Sequence, residues 1–288
     1  MTRRDITRRE IADGLHLLQG CVVPEQVQAR MDATDEPPPW YDPAGEVHAQ
    51  FNAYLFAGEE TLLFDTLPPN MREDVLDALG GVLDDRGLDY LVVSHPEAPH
   101  GGNAGAILDA YPDAELLVPE TDELHDLALG SAVEEHAEVT DGDELDLGSH
   151  AVEFCRSPMF DLAATTWMYE RETGALFTVD AYGNAHSAGA GECGRFVDEM
   201  TDDPEAFTTQ RWLGFHSHTF PWFAYVEPER LAAEIEVLVD RFDPELVAPA
   251  HGAPIREDAV GYLRRLVPVI ERISDLGLGQ DVRVRELA

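Results

Sequence analysis

Apolar positions in this chain fall into short runs that switch between the two-residue period of a strand and the wider period of a helix. Leu15, Leu17 and Leu18 within Glu10–Val23 predict a first strand. The polar stretch Pro24–Ala44, with Pro37-Pro38-Pro39, predicts a loop. Val47–Phe56 and Thr61–Asp65 read as two strands joined by the turn Ala57-Gly58-Glu59-Glu60. Within Met71–Leu83, residues Val75, Leu76, Leu79 and Leu83 keep the spacing of one helix face. Tyr90–Ser94 is a short apolar strand followed by a helix at Gly105–Tyr111, and Ala114–Val118 is a strand followed by a capped helix at Thr121–Leu129.

The second half repeats this rhythm. Short strands are predicted at His136–Val139, Glu144–Leu147 and Ala151–Arg156, then a hairpin of Thr166–Glu170 and Ala175–Val179 around Arg171-Glu172-Thr173-Gly174. After a Gly-rich loop at Gly183–Gly194, helices are predicted at Pro204–Gly214 and Glu227–Phe242. A core strand at Leu246–Ala248 runs into Pro249-Ala250-His251-Gly252, and a helix over Arg256–Leu276 closes the pattern. Strands that come both in hairpins and in strand–helix units predict an α/β (α+β) class, two mixed β-sheets with helices outside. With no repeat or low-complexity segment, one domain is expected over residues 1–288, its core at about 10–276.

Charge adds a second theme. Acidic residues number 57 against 19 basic ones, a net charge of -38, and every basic residue is Arg. The acidic residues are spread along the chain, and a hydrophobic content of 44% is ordinary for a folded domain. Such self-repulsion becomes tolerable in roughly 1 M salt, where the screening length falls to about 3 Å, so a halophilic source is expected. This field disfavours nucleic acid and anionic membranes as partners. No window reaches the ~18 apolar residues of a membrane span, and the chain start shows no signal-peptide pattern, so a cytoplasmic protein is expected. Three widely spaced cysteines, Cys21, Cys155 and Cys193, make neither a disulfide framework nor a thiolate zinc site.

The candidate chemistry gathers after strands. Leu91-Val92-Val93-Ser94-His95-Pro96-Glu97-Ala98-Pro99-His100-Gly101-Gly102-Asn103 reads as a buried strand that breaks into a loop carrying His, Glu and His. Asp161, Asp180 and His251 stand at comparable places, where sites collect in sheet-and-helix domains. Imidazole with carboxylate suits zinc, iron or manganese, and the absence of Cys tilts toward iron or manganese. His186, His216 and His218 are placed in loops near this edge, as pocket-lining residues or as surface histidines. Trp212, Phe215, Phe220, Trp222, Phe223 and Tyr225 read as core and interface aromatics rather than a flavin platform. The Gly183–Gly194 loop lacks the Lys-Ser/Thr of a phosphate loop.

Asn52-Ala53-Tyr54-Leu55, Leu63-Phe64-Asp65-Thr66, the His-x-Glu loop, Phe177-Thr178-Val179-Asp180-Ala181-Tyr182-Gly183 and Ala248-Pro249-Ala250-His251-Gly252 stand in the order of metallo-β-lactamase-fold proteins. Within that superfamily the chain most resembles the diiron domain of flavodiiron proteins, the oxygen and nitric oxide reductases, over roughly residues 10–270. Glu97 makes the likeness specific, because most hydrolases of the superfamily carry His there. The resemblance implies an αββα sandwich with two metal ions at one edge. It matches His95 and Glu97 to ligands of the first iron, Asp180 to the bridging carboxylate, and His100 and His251 to ligands of the second. Two positions depart from the family: Pro99 replaces an Asp ligand, and Asp161, aligned on Pro158-Met159, replaces a His.

The first position would then hold His95, Glu97, Asp161 and Asp180, the second His100, His251 and Asp180. The second is a two-His-one-carboxylate set of the kind that binds non-haem Fe(II), and the oxygen-rich first should hold Fe(III) or manganese better than zinc. Three functions are expected: an oxidoreductase acting on O2 or NO, a metal-dependent hydrolase, and a non-catalytic oxygen- or metal-binding module. Glu97 and Pro99 count against the hydrolase. The family carries FMN on a following flavodoxin-like domain. In this chain, electrons are expected from a separate flavoprotein, with FMN only through that partner, and head-to-tail homodimerisation is what the resemblance implies.

Overall fold

The computed structural model describes residues 6–22, 49–120, 136–162, 164–184, 193–200 and 204–276, with the side chains of 204–211 left aside. The predicted loop Pro24–Ala44, the helix Thr121–Leu129, His186 and most of the Gly183–Gly194 loop lie outside these residues. Two compact units emerge, one of residues 1–20, 51–157 and 162–177, the other of residues 21–50, 158–161 and 178–288.

The first unit is built on a seven-stranded sheet in the order β1-β2-β3-β4-β5-β6-β7. Strands β1 (Thr7–Ala12) and β2 (Leu15–Val22) pair antiparallel, as do β3 (Ala49–Ala57) and β4 (Thr61–Phe64). The sequence predicted one strand where β1 and β2 are two, and Gly14 is the reason. Its φ of +65° turns the chain back at a position where an added Cβ would meet His150 Nε2 at 2.7 Å. Beyond β4 the sheet becomes parallel, through β5 (Tyr90–Val92), β6 (Glu115–Pro119) and β7 (Ala137–Val139). Parallel pairing needs crossovers. Helix α1 (Arg72–Leu83) lies between β4 and β5, and the short helices α2 (Ala98–Gly101) and α3 (Ala104–Ala110) lie between β5 and β6. Val75, Leu79 and Leu83 of α1 and Ile107 of α3 pack with Leu63 and Leu91 of the sheet in one apolar core.

The second sheet has the order β12-β11-β10-β9-β8. Its strands β8 (Glu144–Asp146), β9 (Ala151–Arg156), β10 (Thr166–Glu170) and β11 (Ala175–Val179) form an antiparallel meander. Trp167, Phe154 and Phe177 are fully buried from it. The predicted hairpin is found with its bounds unchanged. Glu170 fixes its turn by accepting from the Thr173 and Glu172 amides at 2.8 and 2.9 Å.

The second unit holds β12 (Leu246–Pro249) and helices α4 (Val197–Met200), α5 (Pro204–Thr219), α6 (Pro228–Phe242) and α7 (Ala259–Leu276). On α6, Leu231, Ile235, Leu238 and Phe242 recur at helical spacing and are buried. Arg264 of α7 clamps Glu236 of α6 by two bonds of 2.8 Å. Helix α5 corrects the sequence reading. It continues past Gly214 to Thr219, so His216 and His218 stand on a helix, not in loops. Gly inside a helix costs about 1 kcal/mol relative to Ala. Burial of Trp212, Phe215 and His216 on either side offsets that cost.

Candidate metal centre

In the first unit the site begins where β4 and β5 end. Asp65 follows β4 with φ +65°, its amide still donating to Val92 O at 2.9 Å. Its carboxylate takes the Ser94 amide on Oδ1 (2.9 Å) and the Ser94 hydroxyl on Oδ2 (3.1 Å). Asn103 ties down the same turn: its side-chain amide donates to the carbonyls of Thr66, Leu67 and Pro68 at 2.9–3.0 Å, and its backbone amide to Thr66 Oγ1 at 3.0 Å. The loop between them folds on itself through Glu97 N–H to His95 O and His100 N–H to Glu97 O. Pro99 falls in the first turn of α2, where its fixed φ suits the helix and its missing N–H is not needed. A residue without a donor atom thus helps present His100.

His95 and His100 are buried, their rings tilted at 41° with centroids 4.0 Å apart. His100 Nδ1 donates to Asp65 Oδ2 at 2.8 Å, which turns its Nε2 lone pair outward. Ser94 Oγ, having given its proton to Asp65, accepts from His95 Nδ1 at 3.3 Å and leaves His95 in the same tautomer. The two Nε2 atoms then face one carboxylate oxygen, Glu97 Oε2, at 3.6 and 3.8 Å. One donor atom from each of the three residues lies within 4.8 Å of the others. Two buried imidazoles and a carboxylate aimed at one point are a donor set that a divalent cation fits.

In the second unit a carboxylate and an imidazole are presented differently. Thr178 O accepts from the Ala181 amide and Thr178 Oγ1 donates to Ala181 O, a tight turn that projects Asp180. Val179 pays for the turn with φ +54°, a rare conformation for a β-branched residue and one that collects at functional sites. His251 follows β12 and lies 2.8 Å from Asp180 Oδ1 through Nε2. Its Nδ1 donates to Gln50 O at 3.3 Å, so Nε2 presents a lone pair to a carboxylate. Two electron-rich atoms at that distance need a proton or a metal ion between them. Asn184 holds the segment beyond His251 by donating its amide to His251 O and accepting from Ala253 N–H.

His216 is the histidine that the sequence misplaced. It is buried, donates Nδ1–H to Trp212 O at 2.8 Å and accepts the Tyr182 amide on Nε2 at 3.1 Å. Burial pushes its pKa down to about 4, so it is neutral at pH 7 and pins the turn two residues past Asp180. Sequence reasoning also gave no role to Asp65, Ser94, Asn103 or Asn184. A buried acid directly after a strand was the available signal for Asp65.

Residues 49–202 match the metallo-β-lactamase superfamily. The chain belongs to this superfamily. Among its relatives, a putative diflavin flavoprotein of Nostoc sp. is 32% identical over 134 residues, covering 46% of this chain and 23% of that protein. A nitric oxide reductase of Moorella thermoacetica is 32% identical over 149 residues, covering 50% and 37%. The matched part of the chain therefore spans 23% and 37% of the length of these two relatives. Among solved structures, rubredoxin:oxygen oxidoreductase from Desulfovibrio gigas superposes with a TM-score of 0.69 at 23% identity, covering 93% of this chain and 61% of that one. A flavodiiron core from Synechocystis sp. gives 0.67 at 17% identity, covering 93% and 61%. At these identities the superpositions speak for the fold. This metallo-β-lactamase domain thus has flavodiiron cores as its homologues and structural neighbours, and it carries a group of side chains able to bind metal.

The other sequence-derived residues are placed as follows. Asp161 is half-buried on a bend in the second unit, after Phe160, whose carbonyl accepts from Trp222 Nε1 at 2.7 Å. His218 is exposed near the end of α5. Trp212, Phe220 and Phe223 are fully buried and Phe215 nearly so, whereas Tyr225 is 68% exposed. Phe220 and Phe223 stack at 5.1 Å, as core aromatics do. No helix among the described residues is long and apolar enough to cross a membrane.

Proposed function

We propose that this chain holds a binuclear metal centre, loaded with iron, and serves the reduction of O2 or NO. The residues that would hold the metal in this reading are His95, Glu97, His100, Asp161, Asp180 and His251. The observation that carries it is the convergence of His95 Nε2 and His100 Nε2 on Glu97 Oε2, with both rings held in the metal-ready tautomer. Metal ions held there would polarise a diatomic substrate and relay electrons to it. The chain's own residues do the rest. Asp65 and Ser94 keep protons on the inner ring nitrogens, the buried imidazoles exclude water, and Glu97, 48% exposed, faces the open side.

Glu97 in place of the hydrolase histidine, together with Pro99, which has no ligand atom, argues for redox over hydrolytic chemistry. Asp161 enters the ligand set through sequence register alone. Manganese is the nearest substitute for iron in so oxygen-rich a set. Electrons come, in this reading, from a separate flavoprotein bearing FMN, and a homodimer is the expected assembly.

The test is metal analysis of protein purified in molar KCl, followed by O2 and NO consumption with NADH, FMN and a flavin reductase. Bound iron with reductase-dependent consumption is expected. Iron without consumption would reduce the reading to reversible gas binding, and zinc with esterase activity would replace it by hydrolysis.

A further inference from the structure

The cysteine count argues against a disulfide framework, yet the fold brings two of the three thiols together. Cys21, at the end of β2, has its Sγ 2.8 Å from Sγ of Cys193, which lies 172 residues away in sequence, just before α4. A covalent S–S bond is about 2.05 Å long, so less than about 1 Å separates this contact from a bond. Both residues are half-buried, and Cys155 is fully buried in β9.

The Cys193 side is held firmly. Phe196 N–H donates to Glu199 Oε2 at 3.1 Å, Arg256 lies over the Phe196 ring at 4.1 Å, and Val197 N–H donates to Pro254 O at 3.0 Å. Cys193 is therefore presented from an anchored turn three residues upstream of these contacts. Cys21 follows directly on the part of β2 that pairs with β1, Leu15 to Gln19. Two sulfurs presented from ordered backbone at this distance lose little entropy on bonding.

We propose that Cys21 and Cys193 form a reversible disulfide that clasps the end of β2 to the turn before α4. Small disulfides (RSSR) are the oxidant. The Cys193 thiolate attacks one sulfur of RSSR, breaks its S–S bond and releases one RSH after protonation. The Cys21 sulfur, giving up its proton, then attacks Sγ of Cys193 and displaces the second RSH. Two electrons pass from the cysteine sulfurs to RSSR, and the two thiol protons end on the released RSH molecules. The hydrogen bond with Cys193 and burial both push the Cys21 thiol up, and the same products form if the two sulfurs exchange roles. In the oxidised form the clasp fixes the chain beside Val197 and Pro254, three residues past His251.

The test uses the whole chain, folded, in high salt. Protein is equilibrated with excess oxidised glutathione, trapped with N-ethylmaleimide and digested with trypsin, which finds only Arg sites in this sequence. The expected product is peptide Glu10–Arg30 disulfide-linked to Glu172–Arg195, lighter than the sum of the two by two hydrogens, with Cys155 in Gly87–Arg156 outside the link. The link should vanish with dithiothreitol, persist in Cys155→Ser, and be absent in Cys21→Ser and Cys193→Ser, each checked for folding by circular dichroism. Separate glutathione or maleimide adducts on Cys21 and Cys193 in folded, oxidised protein would overturn the proposal, as would a link from either to Cys155.

Discussion

Asp65 Oδ2 accepts from His100 Nδ1 at 2.8 Å, and both side chains are about 1% exposed. This one bond sets which nitrogen of His100 faces Glu97. Its geometry also permits a clean test. Asp65 occupies the left-handed region at φ +65°, which Asn tolerates well, so Asp65→Asn should keep the turn. The variant carries no charge to hold the Nδ1 proton, and metal affinity should fall about 10- to 100-fold, the usual cost of losing such a partner. Equilibrium dialysis with Fe(II) or Mn(II) measures this, and an unchanged far-UV spectrum shows that the fold persists.

In the proposed centre, Glu97 is the ligand expected to select the metal. Replacing it by His leaves three imidazoles, at positions 95, 97 and 100, within the same loop, and softens the donor set toward zinc. Glu97→His should therefore raise the zinc-to-iron ratio of protein produced in mixed-metal medium, read by plasma mass spectrometry. An unaltered ratio would mean that Glu97 is not a ligand.

His216 predicts an acid limb of stability. Its folded pKa of about 4 lies below the ordinary 6.5, so between these values the unfolded chain binds the extra proton and the folded one does not. Stability is fully present above about pH 6.5 and is lost as pH falls toward 4, by up to about 3 kcal/mol from this group. His216→Gln, which cannot titrate, should flatten the slope of urea midpoint against pH in that window. Comparison with the parent chain at each pH removes the contribution of other groups.

Gly252 positions His251. Its φ is +96°, and a Cβ there would stand 2.1 Å from both O and Oδ1 of Asn184. Gly252→Ala should cost at least about 1–3 kcal/mol by strain and push His251 from Asp180. A lower unfolding temperature together with reduced metal content checks it. Loss of stability alone would uncouple the segment from the centre.

Much of this was readable beforehand, for a physical reason. Helices such as Arg72–Leu83 announce themselves by period, because burial on one face imposes it, and the hairpin of Thr166–Glu170 and Ala175–Val179 by its turn residues. Glycine at position 14 hid a hairpin inside what looked like one strand, since the turn depends on a backbone sign that periodicity does not register. His216 was misplaced because Gly214 looked like a helix end, whereas tertiary burial carried α5 through it. The loop His95–His100 was visible as a motif, but the tautomer control by Asp65 and Ser94 was not, since those partners meet only in the folded chain. The Cys21–Cys193 contact spans 172 residues and left no local trace.

The central claim is that buried imidazoles and carboxylates of this chain hold iron. The direct measurement is metal content, by plasma mass spectrometry, of the chain and of its His95→Ala/His100→Ala variant, both purified in molar KCl without added zinc or chelator. The account predicts bound iron, or manganese in its place, in the parent chain and its loss from the folded variant. A parent chain that carries no metal, or a variant that retains all of it, would contradict the account.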